Sequence, residues 1–297
     1  MKITLKDIYN ISNIMKAAIK NINFPTIEEY RKKPRKIKKL GQGANGKVFL
    51  YASKDDGKFV RKYYFKGDEK RRRRICEREL NIYSKIENIE GVPKVIRNSL
   101  NDPIFIDTTY IDDSINLYEL HKCLGNKDAI EISLKVIDIV KNCHMNDIIH
   151  RDIKLENVIV SWDKENVNLI DWDCSYHPDN DFTMEFGTVL INPPEMFKNV
   201  YEDKYKIDVW QIGCLLYSLL VKKDSFVGNE KLSPSEDEEL KENIINCNWN
   251  KTDLVLCQRN HERLAMIFSN IFQEESNRCN IDDLSIMLNN YYNDFFN

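Results

Sequence analysis

The sequence predicts an α+β chain in two lobes: a small antiparallel β lobe carrying one helix, then a larger helical lobe. Three observations predict it. The chain has 297 residues, enough for one large domain or two lobes around a cleft. Up to Tyr110 it alternates apolar and polar residues between glycine turns, with a single helical stretch inserted. After Tyr110 the apolar residues recur mostly at helical spacing.

The elements follow in order. Leu5, Ile8, Ile11, Met15, Ala18, Ile19 and Ile22 lie on one face of an N-terminal helix that Pro25 ends. Lys32-Lys33-Pro34-Arg35-Lys36 is a charged connector. Ile37 to Ser53 reads as strand, glycine turn, strand, and Gly57 opens a hairpin into Phe59–Tyr64. A helix is expected from about Glu69 to Ile86, then strands near Pro93–Arg97 and Pro103–Tyr110. Ile115–Cys123 and Asp128–Met145 are predicted helical. Short strands at Asn157–Ser161 and Val167–Asp171 flank a turn. Helices resume at Asp208–Val221, Glu262–Phe272 and Ile281–Tyr291, with Asp224–Asn250 polar and expected mainly as loop. The division predicted is 1–30 as helical extension, 31–110 as small lobe and 111–297 as large lobe.

Composition narrows the class. Hydrophobic residues make 42% and charged residues 31%, as in a globular protein, and the net charge of -3 gives no global field for nucleic acid. The eight cysteines form no C-x-x-C pair, which points away from zinc and from a disulfide framework. No basic segment with an apolar core opens the chain, and no apolar run approaches the length of a bilayer span. An intracellular, unsecreted protein is expected.

The chemistry concentrates in His150-Arg151-Asp152-Ile153-Lys154-Leu155-Glu156-Asn157. Asp152 can accept a hydroxyl proton, Lys154 can meet phosphate charge and Asn157 can hold a metal. The bland reading is a polar turn, so partners are needed. Gly41-Gln42-Gly43-Ala44-Asn45-Gly46-Lys47-Val48 fits G-x-G-x-x-G-x-V between two strands, which suits a lid over phosphates better than a Rossmann turn. Lys62 lies on the next strand, sharing a face with Val60, although Lys58 and Lys66 have the same parity. A buried ammonium needs a counter-charge, which Glu79 or Glu77 can supply. Asp171 ends an apolar strand fourteen residues after Asn157, and two oxygen ligands suit Mg2+.

These motifs, in this order, resemble those of eukaryotic-type protein kinases over residues 36 to 292. The resemblance implies a bilobal protein kinase fold and an ATP-dependent serine/threonine kinase using Mg2+, with Mn2+ as a possible substitute. It implies catalytic roles for Asp152, Lys154, Lys62, Glu79 and Thr188. Gly41, Gly43, Gly46, Val48, Val60, Lys62, Thr108 (the gatekeeper), Tyr110 and Ile159 would bind the nucleotide, and Asn157 and Asp171 the metal. Arg151, Thr183, Glu195, Asp208 and Arg278 would be regulatory or structural: Thr183 a phosphosite, Glu195 paired with Arg278, Asp208 bracing the loop. Small-molecule phosphotransferases do not normally carry the Gly187-Thr188, Pro194-Glu195 and Asp208-Val209-Trp210 features. Lys154 and Thr188 resemble serine/threonine-specific members rather than tyrosine kinases.

Departures carry information too. The triplet Asp171-Trp172-Asp173 stands where the family has Asp-Phe-Gly, the one sequence feature favouring a pseudokinase scaffold. Asp179, Asp181 and Glu185 offer Arg151 a fixed negative charge in place of a phosphate. The run Lys70 to Arg74 reads either as a grip for anionic partners or as a solvated face. Glu156, Asp112 and Asp113 point to basic protein substrates. The compact core and the Ile, Asn and Lys bias resemble large-DNA-virus members such as the baculovirus protein kinase 1 family, implying an infected host cell. The N-terminal helix packs on the small lobe or forms a dimer interface. Direct nucleic-acid binding and membrane insertion are not expected.

Overall fold

The computed structural model describes residues 33–43, 45–179, 188–226, 234–257 and 261–296. The expected N-terminal helix, and Thr183, Gly187, Asp181 and Glu185, lie outside the described residues.

The alternating segments pair into a five-stranded antiparallel sheet. Its strands are β1 (Arg35–Gln42), β2 (Gly46–Ser53), β3 (Gly57–Tyr64), β4 (Val95–Ser99) and β5 (Phe105–Thr109), in the order β1-β2-β3-β5-β4. The register sets Val48 opposite Lys62 and Val60 opposite Thr108, so one face of β2, β3 and β5 lines the space beneath the glycine turn. The other face is covered by aromatic rings and guanidinium groups. Phe59 is buried there beneath the guanidinium of Arg97 and the ring of Tyr51. The fully buried Asp107 accepts bonds from Arg61 at 2.6 and 2.7 Å and from Arg97 at 2.5 Å, stitching β3, β5 and β4 together.

Helix α1 (Glu69–Ile86) crosses the inner face and buries Cys76, Glu79, Ile82, Tyr83 and Ile86, one stripe at helical spacing. Its start answers the arginine run. The Asp68 side chain caps the first turn by accepting from the Arg71 backbone N–H at 2.8 Å, and Glu69 adds a negative charge there. Arg73 pairs with Glu69 and Arg72 with Asp102.

The larger lobe contains β6 (Ser114–Asn116), α2 (Leu117–Leu120), α3 (Asn126–His144), β7 (Val158–Ser161), β8 (Val167–Leu169), α4 (Pro194–Lys198), α5 (Lys206–Val221), α6 (Pro234–Ile245), α7 (Lys251–Cys257), α8 (His261–Ile271) and α9 (Ile281–Phe296). Helix α5 is the core element: it is apolar nearly all round and buried along almost its whole length. A Cβ on Gly213 would sit 2.4 Å from Ile271, so only glycine lets α5 approach α8 this closely. Around it Trp210, Phe226, Phe268, Phe272 and Trp249 stack and meet edge-on.

Two expectations need correction, and one element goes beyond them. Ile115 and Asn116 belong to β6 rather than to a helix, because the segment pairs with β7 and the Asn116 side chain caps α2 through Tyr118 N–H at 2.9 Å. The stretch expected as loop through Asn250 holds α6, with Leu240 and Ile244 buried one turn apart, and α7 follows it, capped by Asn250. The short α4 was not foreseen; Pro194 stands in its first turn, where a missing N–H costs nothing. No described helix is long and apolar enough to cross a membrane.

Candidate active site

The loop from His150 to Asn157 is held from below by α5. Asp208, fully buried, accepts the backbone N–H groups of His150 and Arg151, each at 2.9 Å, and His144 Nε2–H at 2.8 Å. These donors outweigh burial and keep its carboxyl below its usual range. Gln211 adds two bonds, accepting from Ile153 N–H and donating to the Arg151 carbonyl, both at 2.9 Å. The clamp has a job: Arg151 sits at φ 65, a left-handed conformation costing a non-glycine residue about 1–3 kcal/mol. His150 is buried against Trp172, and desolvation lowers its pKa.

Four side chains converge above the clamp. Asp152 Oδ2 accepts from Asn157 Nδ2 at 2.9 Å and pairs with Lys154 Nζ at 2.8 Å. Asp152 Oδ1 accepts from Thr188 Oγ1 at 3.1 Å, and Lys154 Nζ also donates to that hydroxyl at 2.8 Å. Burial opposes the Lys154 charge, but Asp152 beside it lifts the ammonium above its usual range. Asn157 Nδ2 donates to the Asp152 carbonyl as well, at 2.8 Å, so its amide orientation is set from two sides.

A second cluster lies across the cleft. Lys62 Nζ pairs with Glu79 at 2.9 Å, Asp171 at 2.6 Å and Asp173 at 3.2 Å. Glu79, not Glu77, therefore faces the lysine. Tyr64 also donates to Glu79, at 2.5 Å. Burial pushes the Glu79 carboxyl up to about 7; Lys62 opposes this while Asp173 and Asp171 add to it. Burial likewise raises Asp171, whereas Lys62 outweighs burial at Asp173 and lowers it. Asp171 has φ 66, a second left-handed residue in the site.

Above this cluster the β1–β2 turn closes with Gly43 N–H on the Gly46 carbonyl at 2.9 Å. A Cβ on Gly46 would fall 3.0 Å from Lys62 Cγ, so glycine is what lets the turn approach the lysine. Cβ atoms on Gly41 and Gly43 would meet nothing within 4 Å. Val48, Val60, Thr108, Tyr110 and Ile159 are half-buried.

The remaining residues named from the sequence are placed as follows. Arg278 and Glu195 form a buried two-bond pair at 2.6 and 2.9 Å, and the guanidinium lies over Trp210. Arg151 Nε donates to the Cys174 carbonyl at 2.7 Å. Asp179 pairs with Lys85 of α1 at 3.1 Å, which differs from the expected pairing with Arg151. Asp112 pairs with Lys58 at 2.5 Å. Sequence reasoning missed Tyr64, Asn45, Arg78, His144 and Gln211. Only Tyr64 left a signal, sharing a strand face with Lys62.

The donor set suits a hard cation. Asn157 spends its amide N–H groups on Asp152, leaving its carbonyl oxygen, and Asp171 supplies a carboxylate. Two protein oxygens match Mg2+, which fills its remaining positions with water and phosphate oxygens. No group of three acidic, histidine or cysteine ligands occurs among the described residues.

Residues 35–287 match the family model described as "Protein kinase domain". A probable serine/threonine-protein kinase of Dictyostelium discoideum is 26% identical over 216 residues, covering 70% of this chain and 34% of that protein. The chain thus spans about a third of the length of that relative.

Proposed function

The chain belongs to the protein kinase domain family, and on that footing we propose that it is an active, Mg2+- and ATP-dependent serine/threonine protein kinase. The observation that carries the reading is the meeting of Lys154, Asn157 and Thr188 on the Asp152 carboxylate, opposite a formed Lys62–Glu79 pair.

Each residue then has a task. Asp152 orients the acceptor hydroxyl and takes its proton as oxygen attacks the γ-phosphorus and the bond to ADP breaks. Lys154 neutralises charge on the transferring group, and Thr188 steadies both side chains. Lys62, positioned by Glu79 and Tyr64, meets the α- and β-phosphates. Gly41, Gly43 and Gly46 bring backbone N–H groups to the phosphates, while Val48, Val60, Ile159, Thr108 and Tyr110 enclose the base. Asn157 and Asp171 would hold Mg2+, which supplies charge neutralisation between the phosphates. Asp173 is compatible with turnover, since the Lys62–Glu79 pair at 2.9 Å persists beside it. Specificity for serine and threonine rests on the contact of Lys154 with Thr188 at 2.8 Å. Exposed Glu156, together with Asp112 and Asp113, favours basic substrates. The viral affiliation, and with it an infected-cell setting, belongs to the same proposal.

The test is transfer of radiolabel from ATP to a basic protein, with and without Mg2+, followed by phosphoamino-acid analysis. The reading predicts Mg2+-dependent phosphoserine or phosphothreonine. Nucleotide binding without transfer would replace it with a scaffold role.

A further inference from the structure

Asp173 occupies a position where glycine was expected, and its side chain is only 10% exposed. Its Oδ2 accepts from Asn45 Nδ2 at 3.3 Å and pairs with Lys62 Nζ at 3.2 Å. Its backbone carbonyl accepts from Arg78 Nη2 of α1 at 3.0 Å. One residue therefore touches the glycine-rich turn, the β3 lysine and α1. Asn45 is itself buried, at 8% exposure, although it is a polar residue in a connection between two strands, where solvation is the rule.

We propose that Asp173 is a positioning residue that straps the glycine-rich turn onto Lys62 through Asn45. The inference rests on the reading of this cleft as a nucleotide site and adds a fastening at the glycine position. Lys62 Nζ donates to Glu79 and Asp171 and forms an ion pair with Asp173 at 3.2 Å, so three carboxylates surround it. Asp173 alone among the three also holds the turn, through the bond it accepts from Asn45. The turn is thereby closed before nucleotide arrives, and nucleotide leaves only when the Asn45–Asp173 bond breaks. A glycine at 173 has no side chain with which to do this.

Two readouts on the full chain test the strap. One is amide hydrogen exchange of the segment 41–48 without nucleotide; the other is stopped-flow release of a fluorescent ADP analogue with Mg2+. Loss of one long charge-assisted bond predicts exchange and release faster by about fivefold in Asn45→Ala and in Asp173→Gly. The double variant should be no faster than either single one, because both remove the same contact. Asp173→Asn keeps an acceptor for Asn45 and should retain most of the protection while losing the ion pair to Lys62. Native-like exchange in Asn45→Ala, or effects that multiply in the double variant, would overturn the proposal. If even the native chain fails to bind the ADP analogue, the kinase reading fails, and the exchange comparison still decides the strap.

Discussion

Replacing Asp208 with asparagine keeps the shape beneath the catalytic loop but removes one charge and one acceptor. The wild-type carboxylate takes three donors: His150 N–H at 2.9 Å and His144 Nε2–H at 2.8 Å on one oxygen, and Arg151 N–H at 2.9 Å on the other. An asparagine has a single oxygen. If it faces His150 and His144, its NH2 confronts the Arg151 N–H; turned over, it confronts the other two. At least one buried backbone donor is orphaned, at about 1–3 kcal/mol, and the surviving bonds lose charge assistance. We expect about 2–5 kcal/mol of lost stability, or a Tm lower by roughly 5–15 °C for a domain of this size. Activity should fall further than stability implies. Arg151 is held at φ 65 by this clamp, and displacing the adjoining Asp152 by about 1 Å costs on the order of a hundredfold in rate. The assay is urea unfolding followed by tryptophan fluorescence, alongside single-turnover phosphorylation at a temperature where the variant is folded. His144→Phe, which removes one donor and leaves both backbone bonds, should be much milder. Stability within about 0.5 kcal/mol of native, with turnover within threefold, would refute the reasoning.

Other perturbations have equally definite signs. Arg278→Met leaves Glu195 buried and unpaired and should cost about 3–5 kcal/mol, while the double variant Arg278→Met, Glu195→Leu should recover most of it; equal unfolding midpoints for the single and double variants would contradict this. His150 has its folded pKa lowered from the usual 6.5 by burial, so the unfolded chain binds the extra proton first as pH falls. That contribution to stability is present above about pH 6.5 and is lost below it, with a slope of up to about 1.4 kcal/mol per pH unit. His150→Phe should flatten the urea midpoint between pH 7 and 5, and an unchanged slope would count against a buried neutral imidazole.

Much of the site was legible because its chemistry is local or periodic. The His150–Asn157 stretch carries base, cation and amide within one loop, and strand parity alone put Lys62 with Val60. Helix α1 was legible from one buried stripe, and the choice of Glu79 over Glu77 follows from which residue shares that stripe with Ile82 and Ile86. What stayed hidden depends on tertiary approach. Asn45 and Asp173 are 128 positions apart, and nothing in either neighbourhood announces their contact. The clamp of Asp208 also needs His144 and Gln211, whose roles appear only when α3 and α5 pack. Ile115 was misassigned because a three-residue strand beside β7 is stabilised by pairing, which short-range periodicity does not encode.

The central claim is that Asp152 is the group that accepts the hydroxyl proton. It is tested most directly by Asp152→Asn, which keeps the size of the side chain while removing its charge. The account predicts loss of at least about 10²–10⁴-fold in Mg2+-ATP-dependent phosphorylation of serine or threonine, with binding of a fluorescent ADP analogue and the unfolding midpoint close to native. Turnover within a few-fold of native in that variant would contradict it.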